Sequence, residues 1–216
     1  MTRTKLTWAL LGVLYVSFFS WYTSCGGPLR PGEVEHYMAL MDESGRGADP
    51  ELRAIMREFL ESDTGDDFVM LNVIDMHETP LPMEGVESGE TSEEVLARYM
   101  EYMLPALLRR ACHPVLYGTA AGDAPEMFGI EGAREWTTGA GMRYRSRRDL
   151  MEIATNPAFQ GSHQFKIAAI DKTIAFPIDP WFQLGDPRLL LALIFVVIGL
   201  AVGWHGARSQ RAEGGL

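Results

Sequence analysis

The run Leu189–Trp204, LLLALIFVVIGLAVGW, contains no charged residue. It is near the lower limit of about 17 residues that a helix needs to cross the hydrocarbon core of a bilayer. A buried core helix is the other reading of an uncharged run. The complete absence of charge near a chain end favours the membrane, so 189–205 is read as a transmembrane helix. A second apolar run, Leu6–Tyr22, follows Arg3 and Lys5. It admits two readings. A basic start, an apolar middle and small residues around Thr23–Cys25 describe a cleavable signal peptide. The aromatic cluster Phe18, Phe19, Trp21 and Tyr22 suits a membrane interface and favours an uncleaved anchor. Residues 1–24 are therefore an N-terminal membrane anchor or signal peptide.

Basic residues set the orientation. Arg3 and Lys5 precede the first run, and Arg208 and Arg211 follow the second. Positive residues stay cytoplasmic. The expected location is the cytoplasmic (inner) membrane, with both termini inside, a short cytoplasmic tail at 206–216, and the middle of the chain on the extracytoplasmic side. That middle is acidic. All 29 Asp and Glu except Glu213 lie between Pro31 and Arg188, against 19 Lys and Arg less Arg3, Lys5, Arg30, Arg208 and Arg211, so acids outnumber bases by 28 to 14. A surface of that sign argues against nucleic acid and against anionic lipid as partners. Cys25 and Cys112 are the only cysteines. Two cysteines make no disulfide framework, and no paired metal spacing occurs, so neither a metal nor a cofactor is expected.

Between the membrane segments, 25–49 reads as a linker containing one short helix over Glu33–Met41. A folded domain covers 50–180, and 181–188 is a second linker. Asp49-Pro50 opens a helix, with a cap, proline in the first turn, and Leu52, Ile55, Met56, Phe59 and Leu60 on one stripe. Phe68–Met76, FVMLNVIDM, is the clearest strand, and its apolar content makes it central. Thr91–Glu94 is a capping box for a helix running to about Ala111, with Pro105 expected to kink it or start a new turn. Pro114–Ala121 and Arg134–Arg145 read as strands, the second with a bulge at Gly139–Gly141. Ser146, three residues before Asp149, caps another helix that Asn156-Pro157 stops. A short helix from Ala158 to about Ser162 and a strand over Lys166–Phe176 complete the domain.

The order is β-α-β-β-α-β after a helical lead-in. This predicts an α+β domain with the ferredoxin-like split motif, an antiparallel sheet with both helices on one face. The bare face needs a cover, and a second copy packed sheet to sheet is one solution. Several residues also carry a family resemblance: Met70-Leu71-Asn72 in the first strand, Tyr99 and Pro105 in the helix after it, and Val115, Gly118 and Ala120 in the second strand. Trp136 follows, then Arg143–Arg147, Asn156–Phe159 and His163–Ala168. This ordered set, spanning roughly 50–180, resembles the DUF1330 proteins of the dimeric α/β-barrel superfamily. The resemblance implies that fold and a homodimer through the sheet face. It implies no single reaction, since the superfamily includes cofactor-independent monooxygenases, haem-degrading enzymes and muconolactone isomerases.

His163 is the candidate catalytic residue. Placed after the short helix and before the last strand, it would stand at the mouth of the barrel, where imidazole can serve as base or acid. Asn72, in an apolar strand, must find a partner for its amide, either a loop or a ligand. Tyr117 and Trp136, with Asn72 and His163, are the candidate ligand-binding set, since pockets are mostly apolar with a few polar groups. Aromatics in strands also serve simply as core. Arg143, Arg145, Arg147 and Arg148 form a basic cluster, read as salt bridges to the surrounding acids. Two functions fit these residues. One is a membrane-anchored domain that binds a small apolar or aromatic molecule, with oxygenase or isomerase chemistry through His163. The other is a non-catalytic interaction domain docked on another membrane protein. The first requires a pocket touching His163, Asn72 and Trp136.

Overall fold

The computed structural model describes residues 3–181 and 183–213, without the side chains of residues 46, 159, 160 and 209–213. The side chains of Phe159 and Arg211, used in the sequence reading, therefore lie outside the described residues. The chain forms two units. One is made from both ends, up to Thr23 and from Trp181 onward; the other is Ser24–Pro180.

The first unit is a pair of helices, α1 (Arg3–Tyr22) and α7 (Pro187–Glu213). They run antiparallel. Thr4 meets Gly203 and Gly206, Trp8 lies against Gly199, and Tyr15 Oη donates to the Arg188 carbonyl at 3.3 Å. A Cβ at Gly199 would enter the Trp8 ring. Glycine there lets the helices approach closely, as small residues do in membrane helix pairs. Arg188 opens α7, donating from Nε and Nη2 to Asp186 Oδ2 at 2.9 and 2.6 Å, with its guanidinium 5.4 Å from the centre of the Tyr22 ring. Among the described residues, Pro187–Arg208 is the one helical segment long and apolar enough to cross a membrane by length and composition. The 20 residues of α1 give about 30 Å of helix.

The second unit begins with α2 (Pro31–Glu43), a 3-10 turn (Arg46–Ala48) and α3 (Pro50–Glu61). There follow β1 (Phe68–Met76), α4 (Ser92–Arg109), β2 (His113–Thr119), β3 (Thr138–Tyr144), α5 (Arg147–Ala154), α6 (Pro157–Ala169) and β4 (Ile170–Ile178). The four strands form one antiparallel sheet in the order β2-β3-β1-β4. With α4 and the α5–α6 pair as crossovers, this is the ferredoxin-like α+β arrangement. Its helices start where side chains satisfy orphan amides. Asp49 accepts from Glu51 N at 2.9 Å, and Asn156 from Ala158 N at 2.9 Å. Thr91 and Glu94 close a reciprocal capping box at 3.2 and 2.8 Å.

Three local expectations are corrected. The helix after Asn156-Pro157 does not stop at Ser162; α6 continues to Ala169, and β4 begins at Ile170 rather than Lys166. Proline at its first turn starts this helix, and nothing within it ends it. The third strand begins at Thr138, not Arg134. The bulge lies on β2, where the register shifts between Pro114 and Leu116, while Gly139–Gly141 pair in unbroken register with β1. Pro114 has no N–H to give the ladder, so the irregularity falls on its strand. Pro105 lies inside α4, which is a single helix over Ser92–Arg109.

The sheet has two unlike faces. On one, Phe68 stacks on Tyr144 with ring centres 5.4 Å apart, over Leu107, Cys112 and Ile153 of the covering elements. A second cluster packs Val34, Met38 and Met41 of α2 and Leu60 of α3 against Met151 of α5. The other face is open. Val73, Leu116, Ile174 and Phe176 remain exposed there, separated on β3 by Gly139 and Gly141, which bring no side chains.

Candidate functional site

A cavity of about 340 Å3 lies between the helix-covered face of the sheet and α3 to α6. The register explains why it is there. On this face one cross-strand row reads Ala140–Asn72–Ala175. Two alanines beside a short amide leave the floor low, whereas two rows away on the same face Tyr144–Phe68 is filled by stacked rings. Above the floor, Tyr99 and Met103 come from adjacent turns of α4, and Leu52 and Met56 from α3. The long stem of methionine adapts to irregular space, and Met41, Met70 and Met151 also reach this wall. The site is apolar with a few polar groups, the usual constitution of a ligand pocket.

Those polar groups come from four elements. Asn72 Nδ2 donates to the Met70 carbonyl of its own strand at 3.0 Å, which fixes the amide plane. His163 and Lys166 stand one turn apart on α6 and both line the cavity. The His163 ring meets Tyr99 edge-on, with centres 6.4 Å apart and planes at 67°. Tyr144 is held neutral. Burial, then the nearby Tyr99, pushes its phenol well above the ordinary value of 10. The site presents an imidazole, two phenols, an amide and a lysine amine. Together these can transfer a proton and orient a carbonyl or carboxylate.

Of the four residues expected from sequence, two meet in this cavity and two do not. Asn72 and His163 both line it. His163 reaches it from within α6, not from a loop after a short helix. Tyr117 lies in the same cross-strand row as Asn72, beyond Ala140, but on the edge strand, where it is 70% exposed. Trp136 precedes β3 and donates from Nε1 to the Ala133 carbonyl at 2.7 Å. Lys172 Nζ sits 5.3 Å above its ring. Lys172 pairs with Asp75 in register, so Trp136 belongs to the open face, opposite the cavity. Tyr99, Tyr144 and Lys166 were missed. Tyr99 shares the helical stripe with core residues, and Lys166 was assigned to a strand.

The basic cluster is built into the structure. Arg143 pairs with Asp67 at 2.7 Å, Arg145 with Asp149 at 2.7 Å, Arg147 with Asp63 at 3.5 Å and Arg148 with Glu33 at 2.8 Å. Asp149 also takes the Ser146 hydroxyl at 2.6 Å, so this carboxylate serves the Arg145 pair as well as its cap. Neither cysteine forms a disulfide; Cys25 is exposed and Cys112 buried. Burial pushes the Cys112 thiol up to about 11.

A four-stranded antiparallel sheet with one helix-covered face and an apolar cavity beneath those helices defines a ferredoxin-like α+β domain. Comparison with solved structures agrees on the fold. The chain is similar to the RPA0582 protein of Rhodopseudomonas palustris, described as a protein of unknown function, with 17% identity over 60% of this chain and 93% of that one, at a TM-score of 0.50. The methylated form of RPA0582 matches at 19% identity over 62% and 93%, with a TM-score of 0.51. SnoaB, a cofactor-independent oxygenase from Streptomyces nogalater, matches at 12% identity over 56% and 99%, with a TM-score of 0.34, too low to bear on function. No family model matches the chain, and no curated protein matches its sequence.

Proposed function

We propose that this is a membrane-anchored domain that binds one small apolar or aromatic molecule in the Asn72–His163 cavity. The observation that carries this reading is the cavity itself: space beneath packed helices, walled by methionines, with polar groups confined to a few positions. His163 is the group suited to proton transfer, and Asn72, held through Met70, orients a ligand oxygen. Proton abstraction next to a carbonyl is a first step open to both cofactor-independent oxygenation and isomerisation. In that step His163 takes the proton, and Tyr144 or Asn72 donates to the developing oxyanion.

The anchor is α7, with α1 packed along it. Its support is the uncharged run and the antiparallel pairing, which leaves the basic residues of both termini at one end. On this reading both termini lie in the cytoplasm and the domain outside. The open sheet face supports a second copy as partner. Leu71 and Val73 face Gly141 and Gly139 on β3, so an opposing sheet could approach closely.

Substitution at His163 tests the reading. Full-length wild type and His163→Ala, purified in native lipid, would be denatured and the released small molecules compared. A molecule bound by wild type and lost from the variant at unchanged unfolding temperature supports it. Equal content in both removes His163 from the site, and a large fall in unfolding temperature marks the histidine as structural.

A further inference from the structure

One wall of the cavity comes from outside the sheet and its crossover helices. Met41, Leu52 and Met56 belong to α2 and α3. These two helices precede β1 and form a hairpin that turns back at Gly45, where a φ of 75° suits glycine. Ion pairs hold the hairpin together. Arg53 binds Asp42 at 2.9 and 3.0 Å, and Arg57 binds Glu35 at 2.5 and 3.0 Å. Its two ends meet at one neck. The Asp63 carboxylate accepts from Leu29 N, just before α2, at 2.8 Å, and from Gly65 N, just after α3, at 3.1 Å. Gly65 lies so close to Gly27 and Pro28 that a Cβ there would strike their backbone.

The neck is fastened to α5. Arg147 pairs with Asp63 at 3.5 Å, donates to the Ser62 hydroxyl at 2.8 Å and to the Phe59 carbonyl, and lies 4.4 Å from the centre of the Phe59 ring. Arg148 binds Glu33 through two bonds, at 2.8 and 3.2 Å. These ties are directional and charge-assisted. The turn half of the hairpin meets the cavity through apolar side chains, Met41 near the end of α2 and Leu52 and Met56 one turn apart in α3, with Leu52 42% exposed at the rim. Met151 of α5 is buried in one cluster with Met38, Met41 and Leu60 of the hairpin. Apolar contact has no preferred direction, so the turn half can lift at the loss of a few contacts while the neck keeps its bonds. Resting on the cavity reading, we propose that the α2–α3 hairpin is a lid, hinged at the Asp63 neck on Arg147 and Arg148, whose lifting admits the ligand. A hinge of this kind needs only a few element-terminal residues to absorb the motion.

Two buried sulfur atoms read the motion in the full chain held in lipid nanodiscs. Met151, under the hairpin, is oxidised by hydrogen peroxide when the lid lifts. Cys112, buried in the neighbouring cluster with Phe68 and Tyr144, is labelled by maleimide only when the domain itself opens. Each rate, followed by peptide mass spectrometry, is divided by its rate in the denatured chain to give a protection factor. In wild type, Met151 should be at least about tenfold less protected than Cys112. Met56→Ala removes a contact of the turn half and should lower Met151 protection about tenfold further, with Cys112 protection unchanged. Met56→Leu, which keeps the bulk, should match wild type. Arg148→Met weakens the neck, whose bonds persist when the lid lifts, so Met151 protection should stay within about twofold of wild type. Equal protection of Met151 and Cys112 in wild type overturns the lid, as does a Met56→Ala variant that protects Met151 like wild type. A fall in Arg148→Met as large as that in Met56→Ala overturns the hinge, because the hairpin then detaches whole. The oxidation needs no ligand. A lid that lifts above a cavity yielding no small molecule supports this inference and fails the ligand reading alone; a bound molecule beneath a hairpin that does not lift fails this inference alone.

Discussion

Arg143 Nε donates to Asp67 Oδ2 at 2.7 Å, and its Nη1 donates to the Ala111 carbonyl at 2.8 Å, with none of the Arg143 side chain exposed. One buried guanidinium thus ties β3 to the turn before β1 and to the turn after α4. Ala111, at φ 55°, holds a left-handed conformation, unusual for a residue with a Cβ. Removing one member of a buried pair leaves an uncompensated charge. Asp67→Ala should therefore destabilise the domain by about 3–5 kcal/mol. Asp67→Asn, which keeps an acceptor, should cost less. Denaturant midpoints of the two variants check the order.

The sequence made much of this frame legible, and the reasons are local. Thr91, Glu94, Asp49 and Asn156 announce helix starts because a capping side chain acts within a few residues. Phe68–Met76 announces a central strand through its apolar run. The cavity was not legible, because it depends on register. Nothing local says that Asn72 lies between Ala140 and Ala175. Lys166 was lost for a related reason. The β-branched and aromatic run after it resembles a strand, and only tertiary contact shows that the helix extends through Ala169. Trp136 precedes β3, so strand alternation alone does not say which face it joins.

The two cysteines should differ in reactivity. Cys25 is exposed, while Cys112 is buried, with the Arg145 amide on its sulfur at 3.3 Å and its thiol raised to about 11. Only thiolate reacts. At pH 8, maleimide should label the native chain once, at Cys25, and the denatured chain twice. Mass spectrometry of the labelled protein gives the count.

Stability should fall at both ends of the pH scale, for opposite reasons. The Arg148 guanidinium, then the Arg30 amide, holds the Glu33 carboxyl down at about 2, from an ordinary 4.5. Its folded value lies below its unfolded value, so its contribution is complete above about pH 4.5 and is lost as pH falls toward 2. Glu33→Gln should flatten part of that acid limb. Burial raises Cys112 to about 11 from 9 and Tyr37 to about 12 from 10. Their folded values lie above the unfolded ones, so these contributions are complete below about pH 9 and are lost as pH rises through 11 and 12. Cys112→Ala should move the onset of the alkaline limb upward. Unfolding temperature against pH, in wild type and both variants, reads all of this.

Antiparallel packing of α1 on α7 makes a geometric prediction. Thr4 lies beside Gly203 and Gly206, so the double variant Thr4→Cys with Gly206→Cys should cross-link on mild oxidation. The same exchange at Thr4 and Gly199 should not, because Trp8 occupies that level. Gly199→Leu should push the helices apart and weaken the cross-link at Gly206. Gel mobility with and without reductant distinguishes these outcomes.

The central claim is that the space above Asn72 belongs to a ligand. Ala175 forms its floor beside Asn72, and phenylalanine is well tolerated in strands. Ala175→Phe should therefore fill the space without opening the sheet. The most direct measurement is native mass spectrometry of the full-length protein released from lipid nanodiscs, comparing wild type with Ala175→Phe at matched unfolding temperature. The account predicts one additional small-molecule mass per wild-type chain and none in the variant. Wild type without added mass, or the same added mass in both proteins, would contradict it.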